Sequence, residues 1–387
     1  MTSRGKLTAA AAVVAVVTLA ASAAPYITTA AFLLDLAGAR GGLRAWLPVA
    51  VTDTSFRDIV IPTRHGPIAA RVHFPPDHAV PTVVVFPGVH GGGVDEPRLA
   101  RFCGRLAATG YRVVCTPLPD LRLFRVTGHS TDVIEDVSTW VAADRSLTPG
   151  GRIGLVGVSF AGGLAMVAAG RRPLADRLDV VVSLGGYGSL ERLLRYLCTG
   201  LLPDGTHRPP HDYGLAVAAL AAAPGLVPPD QVDGFSHVVR TFLEASLDDS
   251  AEQRTAATLV AQARAAAALL PEPARGIGIA VIDRNVAEVG RLVEPLVAGL
   301  AADPALSPEL SPPPSAPVYL IHGDADNVIP STETPLLAGY LARHGNDRVR
   351  WLLTPLVSHA DVSDRPAPLD VWRLIRFWKT LRSALHA

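Results

Sequence analysis

The sequence predicts an α/β protein: a mostly parallel sheet with helices on both faces, interrupted by a helical insertion. Three observations predict it. Residues 82–86, 111–115, 153–156 and 179–183 are short, nearly continuous runs rich in β-branched residues, the pattern of strands buried on both faces. Helix-length segments at 97–108, 131–144 and 160–171 separate them, as right-handed crossovers of a parallel sheet require. From residue 190 to 315 the alternation stops, and the chain becomes Ala- and Leu-rich with helical spacing.

At 387 residues the chain is long enough for one large α/β domain with an insertion. Lys plus Arg and Asp plus Glu are both 35, so the net charge is zero and nothing in the balance points to nucleic acid or to an anionic membrane surface. Cys103, Cys115 and Cys198 have no metal-ligand spacing and read as small buried apolar residues. The mean hydropathy of +0.29 is high for a soluble protein and points to a segment made for lipid.

Taken in order, residues 1–50 form an N-terminal signal or membrane-anchor segment and linker. Leu7 to Leu34 carries no charge, and Arg4 and Lys6 precede it. The run reads first as an uncleaved anchor, because roughly 20 apolar residues cross a bilayer. The alternatives are a cleaved signal, with Ala21-Ser22-Ala23 as the cut site, and a buried N-terminal helix. The expected location is therefore extracytoplasmic, either membrane-anchored or secreted.

Residues 51–189 and 316–387 make the α/β core. Segments 56–61 and 68–74 alternate around His65-Gly66-Pro67 and predict an antiparallel hairpin. The strands and crossovers above follow. In the insertion, 190–315, helices are expected at 234–247, 251–270 and 285–300, up to a Pro-rich spacer at 311–315. The sheet resumes at 317–321, with a helix at 332–344, a strand at 349–353 and a last helix at 369–385. An insertion that leaves the carboxyl end of a strand starts at the sheet edge where α/β proteins bind ligands, so it reads as a cap.

The chemistry centres on Gly157-Val158-Ser159-Phe160-Ala161, a strand driven into a helix with Ser159 at the apex. Such a turn lifts a serine hydroxyl clear of the sheet, where a base can take its proton. The sequence 321–330, Ile-His-Gly-Asp-Ala-Asp-Asn-Val-Ile-Pro, puts carboxylates after the next sheet strand, and His359 follows the strand beyond. Nucleophile, acid and base thus come in the order Ser, Asp, His, each just past a parallel strand.

With these motifs the chain resembles the α/β-hydrolase fold family, particularly its dienelactone-hydrolase and esterase-like branches, from about Phe56 onward apart from the insertion. The family's His-Gly-x-x-Asp-x-x-Val-Pro segment lies on His322, Gly323, Asp326 and Ile329-Pro330. The resemblance implies Ser159 as nucleophile, Asp326 as acid and His359 as base, with Asp324 the competing acid. It implies an oxyanion hole from the N–H groups of Phe160 and Val89. In a second register, His90-Gly91-Gly92-Gly93 would supply the donor from Gly91 or Gly92. No cofactor and no metal is called for.

The implied function is a serine hydrolase, carboxylesterase-like, cleaving a carboxylic ester or lactone with an apolar substrate through an acyl-enzyme. An acyltransferase with the same triad and an inactive membrane-tethered binding protein are the alternatives. The expected partners are a small-molecule ester and the membrane. Elsewhere His90 reads as a loop-ordering residue, His322 as a strand-end hydrogen-bonding group, His237 as core of the insertion, and Glu135 and Asp136 as a solvated helix face. His207 and His211 have a helical ligand spacing that Pro209 and Pro210 contradict.

Overall fold

In the computed structural model, residues 23–36, 54–75, 80–246, 253–356 and 367–385 are described. The strands are β1 (Ser55–Ile61), β2 (Ile68–Phe74), β3 (Thr82–Phe86), β4 (Arg112–Cys115), β5 (Ile153–Val158), β6 (Leu178–Leu184), β7 (Val318–Gly323) and β8 (Val349–Thr354). They form one sheet in the order β1-β2-β4-β3-β5-β6-β7-β8. The hairpin β1–β2 and the pair β2–β4 are antiparallel, and every pairing from β4 to β8 is parallel.

Helices follow the crossovers: α1 (23–36), α2 (Pro97–Ala108), α3 (Pro119–Arg122), α4 (Gly128–Ala143), α5 (Phe160–Ala169) and α6 (Arg172–Ala175). Between β6 and β7 lie α7 (Leu190–Thr199), α8 (Asp212–Leu226), α9 (Val232–Ser246), α10 (Gln253–Ala268), α11 (Ala274–Ile282), α12 (Val286–Val293) and α13 (Val297–Leu300). α14 (Glu333–Arg343) and α15 (Pro368–Leu385) complete the chain.

The pleat sorts each central strand onto two cores. Val84 and Phe86 of β3 join one apolar cluster with α4, α5 and the inserted helices, while Val83 and Val85 join another with α1, α2 and α15. This two-sided burial is why the strands read as continuous apolar runs. α2 shows its local logic plainly: Pro97 opens it, and the Glu96 carboxylate caps it by accepting from the Leu99 N–H at 2.6 Å.

Three expectations change. Glu135 and Asp136 are not a solvated face: Glu135 is buried, and with Asp132 they pair with Arg64 and Arg171 at 2.6–3.6 Å. His237 is exposed on α9, whose buried face is Phe235, Val238, Val239 and Phe242. Part of the apolar N-terminal run, residues 23–34, lies in α1 against the protein: Phe32 is buried between Phe102 and Trp378, and Asp35 pairs with Arg105 at 3.7 Å. Residues 1–22 lie outside the described residues. Among the described residues no helix is long and apolar enough to cross a membrane.

Candidate active site

β5 ends in a turn whose apex, Ser159, has φ 54° and ψ −128°. A non-glycine residue there carries roughly 1–3 kcal/mol of strain, which the surrounding packing must hold. Two close approaches hold it. A Cβ on Gly157 would lie 2.2 Å from the Ala161 carbonyl oxygen, and one on Gly162 would lie 2.4 Å from Ser183 Oγ. Strand and helix therefore cross at positions 157 and 162, and position 161 accepts a methyl group without conflict. That is why alanine can stand where the usual Gly-x-Ser-x-Gly pattern has its last glycine.

The loop after β3 crosses beside this apex. A Cβ on Gly88 would be 2.8 Å from Ser159 Cβ and 3.3 Å from its Oγ, so the peptide leading to Val89 runs against the serine. Phe160 is the first residue of α5, and its N–H has no carbonyl four residues back within the helix. The second register fits less well: the Gly92 N–H donates to His90 Nδ1 at 3.0 Å and the loop curls into a short 3-10 turn. Burial pushes His90 below its usual pKa, in keeping with an accepting, neutral ring that orders its own loop.

The strand ends line up. The Ser159 N–H donates to the Leu184 carbonyl at 2.7 Å, and the Gly185 N–H donates to Ile321 at 2.8 Å, so the termini of β5, β6 and β7 lie side by side. Ser159 and the loop after β7 are thus two strand spacings apart, roughly 9–10 Å between backbones. Between them Gly185, at φ 64°, leaves room: its ideal Cβ would still be 3.8 Å from Asp326 Oδ2.

Of the two candidate acids, Asp326 is 3% exposed and Asp324 is on the surface. Asp326 Oδ1 accepts from the N–H groups of Val328 and Ile329 at 2.9 and 3.0 Å, which fixes the carboxylate. His322 braces the same turn. Its Nε2 donates to the Ile329 carbonyl at 2.8 Å, its Nδ1 accepts from Thr334 at 2.8 Å, and Asp326 Oδ2 lies 3.4 Å from Nε2. His322 is thus a strand-end hydrogen-bonding group, as its position suggested. His359 lies outside the described residues.

The helical insertion reaches both loops. Tyr213, at the start of α8, donates from its hydroxyl to the Val89 carbonyl at 2.8 Å. The His211 N–H and the Tyr196 hydroxyl both donate to the Asn327 carbonyl, at 2.8 and 3.2 Å, and Arg208 reaches the carbonyls of Asp324 and Asp326 at 3.2 Å. Burial, reinforced by the Asp326 charge, pushes the Tyr196 phenol up to about 12, so it remains a donor. Residues 207–211 are not helical, and His211 instead caps α8. Phe160 and Val126 meet Leu190, Leu194, Val217 and Ala218 of the insertion around an apolar cavity of about 30 Å³.

Sequence reasoning missed two supporting groups. Glu333, fully buried at the start of α14, accepts from the Gly188 and Ser189 N–H groups and from Arg192, which also grips Glu309 through two bonds of 2.7 and 2.9 Å. This network clamps the loop after β6 against α14. Tyr213 was missed as well. Its only local signal was a helix start after Pro209-Pro210.

The strand order decides the architecture: an antiparallel hairpin, then parallel strands crossing at β3, with a strained serine after β5 and a carboxylate after β7. This is the α/β-hydrolase fold. No known family's sequence pattern matches the chain, and no curated protein is detectably similar to it in sequence. Among solved structures the chain is distantly similar to an esterase of Pyrobaculum calidifontis, at 19% identity over 93% of this chain and 88% of that one, TM-score 0.44. It is also similar to the carboxylesterase EstE1 from a metagenomic library, at 18% identity over 93% and 95%, TM-score 0.47. A third likeness is to brefeldin A esterase, at 16% identity over 92% and 82%, TM-score 0.45.

Proposed function

We propose that this protein is a serine hydrolase that cleaves a carboxylic ester or lactone through an acyl-enzyme. Ser159 attacks the carbonyl, His359 takes the hydroxyl proton and returns it to the leaving oxygen, and Asp326 holds the imidazole. The N–H groups of Phe160 and Val89 receive the charge that develops on the carbonyl oxygen. Water then repeats the sequence on the acyl group and frees Ser159.

The observation that carries this reading is the strained serine at φ 54° with Gly88 pressed against it, because a mere βα turn needs neither the strain nor a second loop at its apex. Asp326 is preferred to Asp324 because it is buried and its Oδ1 is fixed by two N–H groups. The insertion, 190–315, serves as a cap, and its Leu190, Leu194, Val217 and Ala218 supply apolar walls beside Phe160, in keeping with an apolar substrate. No step calls for a metal or a cofactor.

Ser159→Ala is expected to reduce turnover of p-nitrophenyl acetate by about 10³-fold or more while leaving the circular dichroism unchanged. Turnover equal to that of the unmodified enzyme would overturn the assignment.

A further inference from the structure

We propose that the catalytic edge of this protein rests on a lipid bilayer and draws its ester from that surface. The choice of an ester as cargo rests on the reading of Ser159 given above, and the docking surface does not.

α15 runs antiparallel to the parallel strands. It follows the carboxyl end of β8, and its last turn packs at the amino end of β5, where a Cβ on Gly154 would meet Leu385. α15 therefore runs against the strands, and its first turns stand at the edge that carries Ser159 and Asp326. At that end Leu369 and Trp372 are 61% and 47% exposed. Tyr26 of α1 stacks on Trp372 with centroids 5.4 Å apart, and Ile27 beside it is exposed. Leu369, Ile27 and Trp372, the last stacked on the half-buried Tyr26, are thus exposed, while α15 buries Leu374, Phe377, Trp378 and Leu381 on its other side.

Among the described residues the charges on α15 beside this patch are mostly basic; the exception is Asp370, which pairs with Arg373 at 3.6 Å. Arg373 and Arg376 are exposed on α15, and Lys379 lies 4.6 Å from the centre of the Tyr26 ring. Aromatic rings with cations beside them suit the boundary between headgroups and acyl chains, and anionic lipid adds attraction. The chain that enters α1 here, residues 7–22, is uncharged and apolar. The exposed patch with its cations, and an uncharged apolar run in the sequence before α1, suit one occupant, a lipid surface. A second copy of this chain suits the patch poorly, because a two-fold contact would set the arginines of one copy against those of the other.

The test uses the full chain with vesicles of phosphatidylcholine and phosphatidylglycerol. Cys103, Cys115 and Cys198 are buried, so a fluorophore can be placed on Leu369→Cys or, at the opposite edge, on Gly150→Cys, where an added Cβ meets nothing within 4 Å. The label at 369 is expected to shift to the blue and to be quenched by nitroxide-bearing lipid, and the label at 150 to be unchanged. No response at 369, or an equal response at both sites, overturns the proposal. So does a response at 369 that needs only higher protein concentration and no lipid.

The double substitution Leu369→Ser with Trp372→Ser is expected to lower turnover of a vesicle-borne ester about 10-fold or more, and to leave p-nitrophenyl acetate turnover unchanged. Equal losses on both substrates overturn the delivery role. A quenched label at 369 on a protein inert toward every ester would leave the surface standing and sink the hydrolase reading.

Discussion

Tyr213→Phe removes one hydroxyl, the one that ties the insertion to the loop beside Ser159. The bond to the Val89 carbonyl is 2.8 Å long, and Val89 is 8% exposed, so the carbonyl has little water to turn to. Burial holds the phenol well above its usual pKa, so it donates at every pH the fold survives. Leaving a buried acceptor unpaired costs about 1–2 kcal/mol, within the usual range for such groups. If Val89 drifts only when the oxyanion forms, that energy appears in kcat as a fall of about 5- to 30-fold. KM for p-nitrophenyl acetate should be nearly unchanged, because a ground-state carbonyl would make little use of the proposed oxyanion hole. Affinity for a boronic acid that mimics the tetrahedral adduct should fall in parallel with kcat. The ring also packs against Phe124, with centroids 6.4 Å apart, and phenylalanine preserves that contact, so melting should move by only a few degrees. A variant that melts much earlier with kcat intact, or that loses only KM, would refute the reasoning.

The elbow makes a paired prediction. Gly157→Ala places a methyl group 2.2 Å from the Ala161 oxygen and should yield no folded protein, whereas Ala161→Gly should stay folded and active at a stability cost of about 1 kcal/mol, read by denaturant melts. Glu333→Gln leaves Arg192 facing a weakened partner inside the protein and should destabilise it by about 3 kcal/mol, seen as a shifted urea midpoint. The native thiols should ignore a disulfide reagent at pH 8 and react once unfolded. Burial pushes Cys198 up to about 12, and Cys103 is raised by its hydrogen bond to Cys115 and then by burial. The folded pKa of Cys198 is the higher one, so its contribution to stability is whole below about pH 8.5 and is lost as pH climbs toward 12.

What the sequence made legible was whatever a local pattern determines. β3 came out at residues 82–86 because five successive residues are buried on both faces, and α2 came out at 97–108 because Pro97 marks its start and its apolar residues recur at helical spacing. α8 escaped notice because it is apolar on every side and contains Pro224, so no period stands out. The order of the proposed triad was readable because Ser159, Asp326 and His359 each come after a strand in the sequence. The supports were not, since Glu333 is 141 residues from Arg192 and Tyr213 is 124 from Val89. Glu135 was misread for the same reason: a carboxylate on a helix looks solvated until remote Arg64 and Arg171 fold over it.

The proposed chemistry needs Ser159 to be an activated nucleophile served by His359 as base and Asp326 as acid. Intact-mass analysis after exposure to a fluorophosphonate tests it most directly. One adduct is expected, mapping to the peptide that holds Ser159, absent in Ser159→Ala and slowed by orders of magnitude in His359→Ala. An adduct that persists in Ser159→Ala, or that forms at full speed without the histidine, would contradict it.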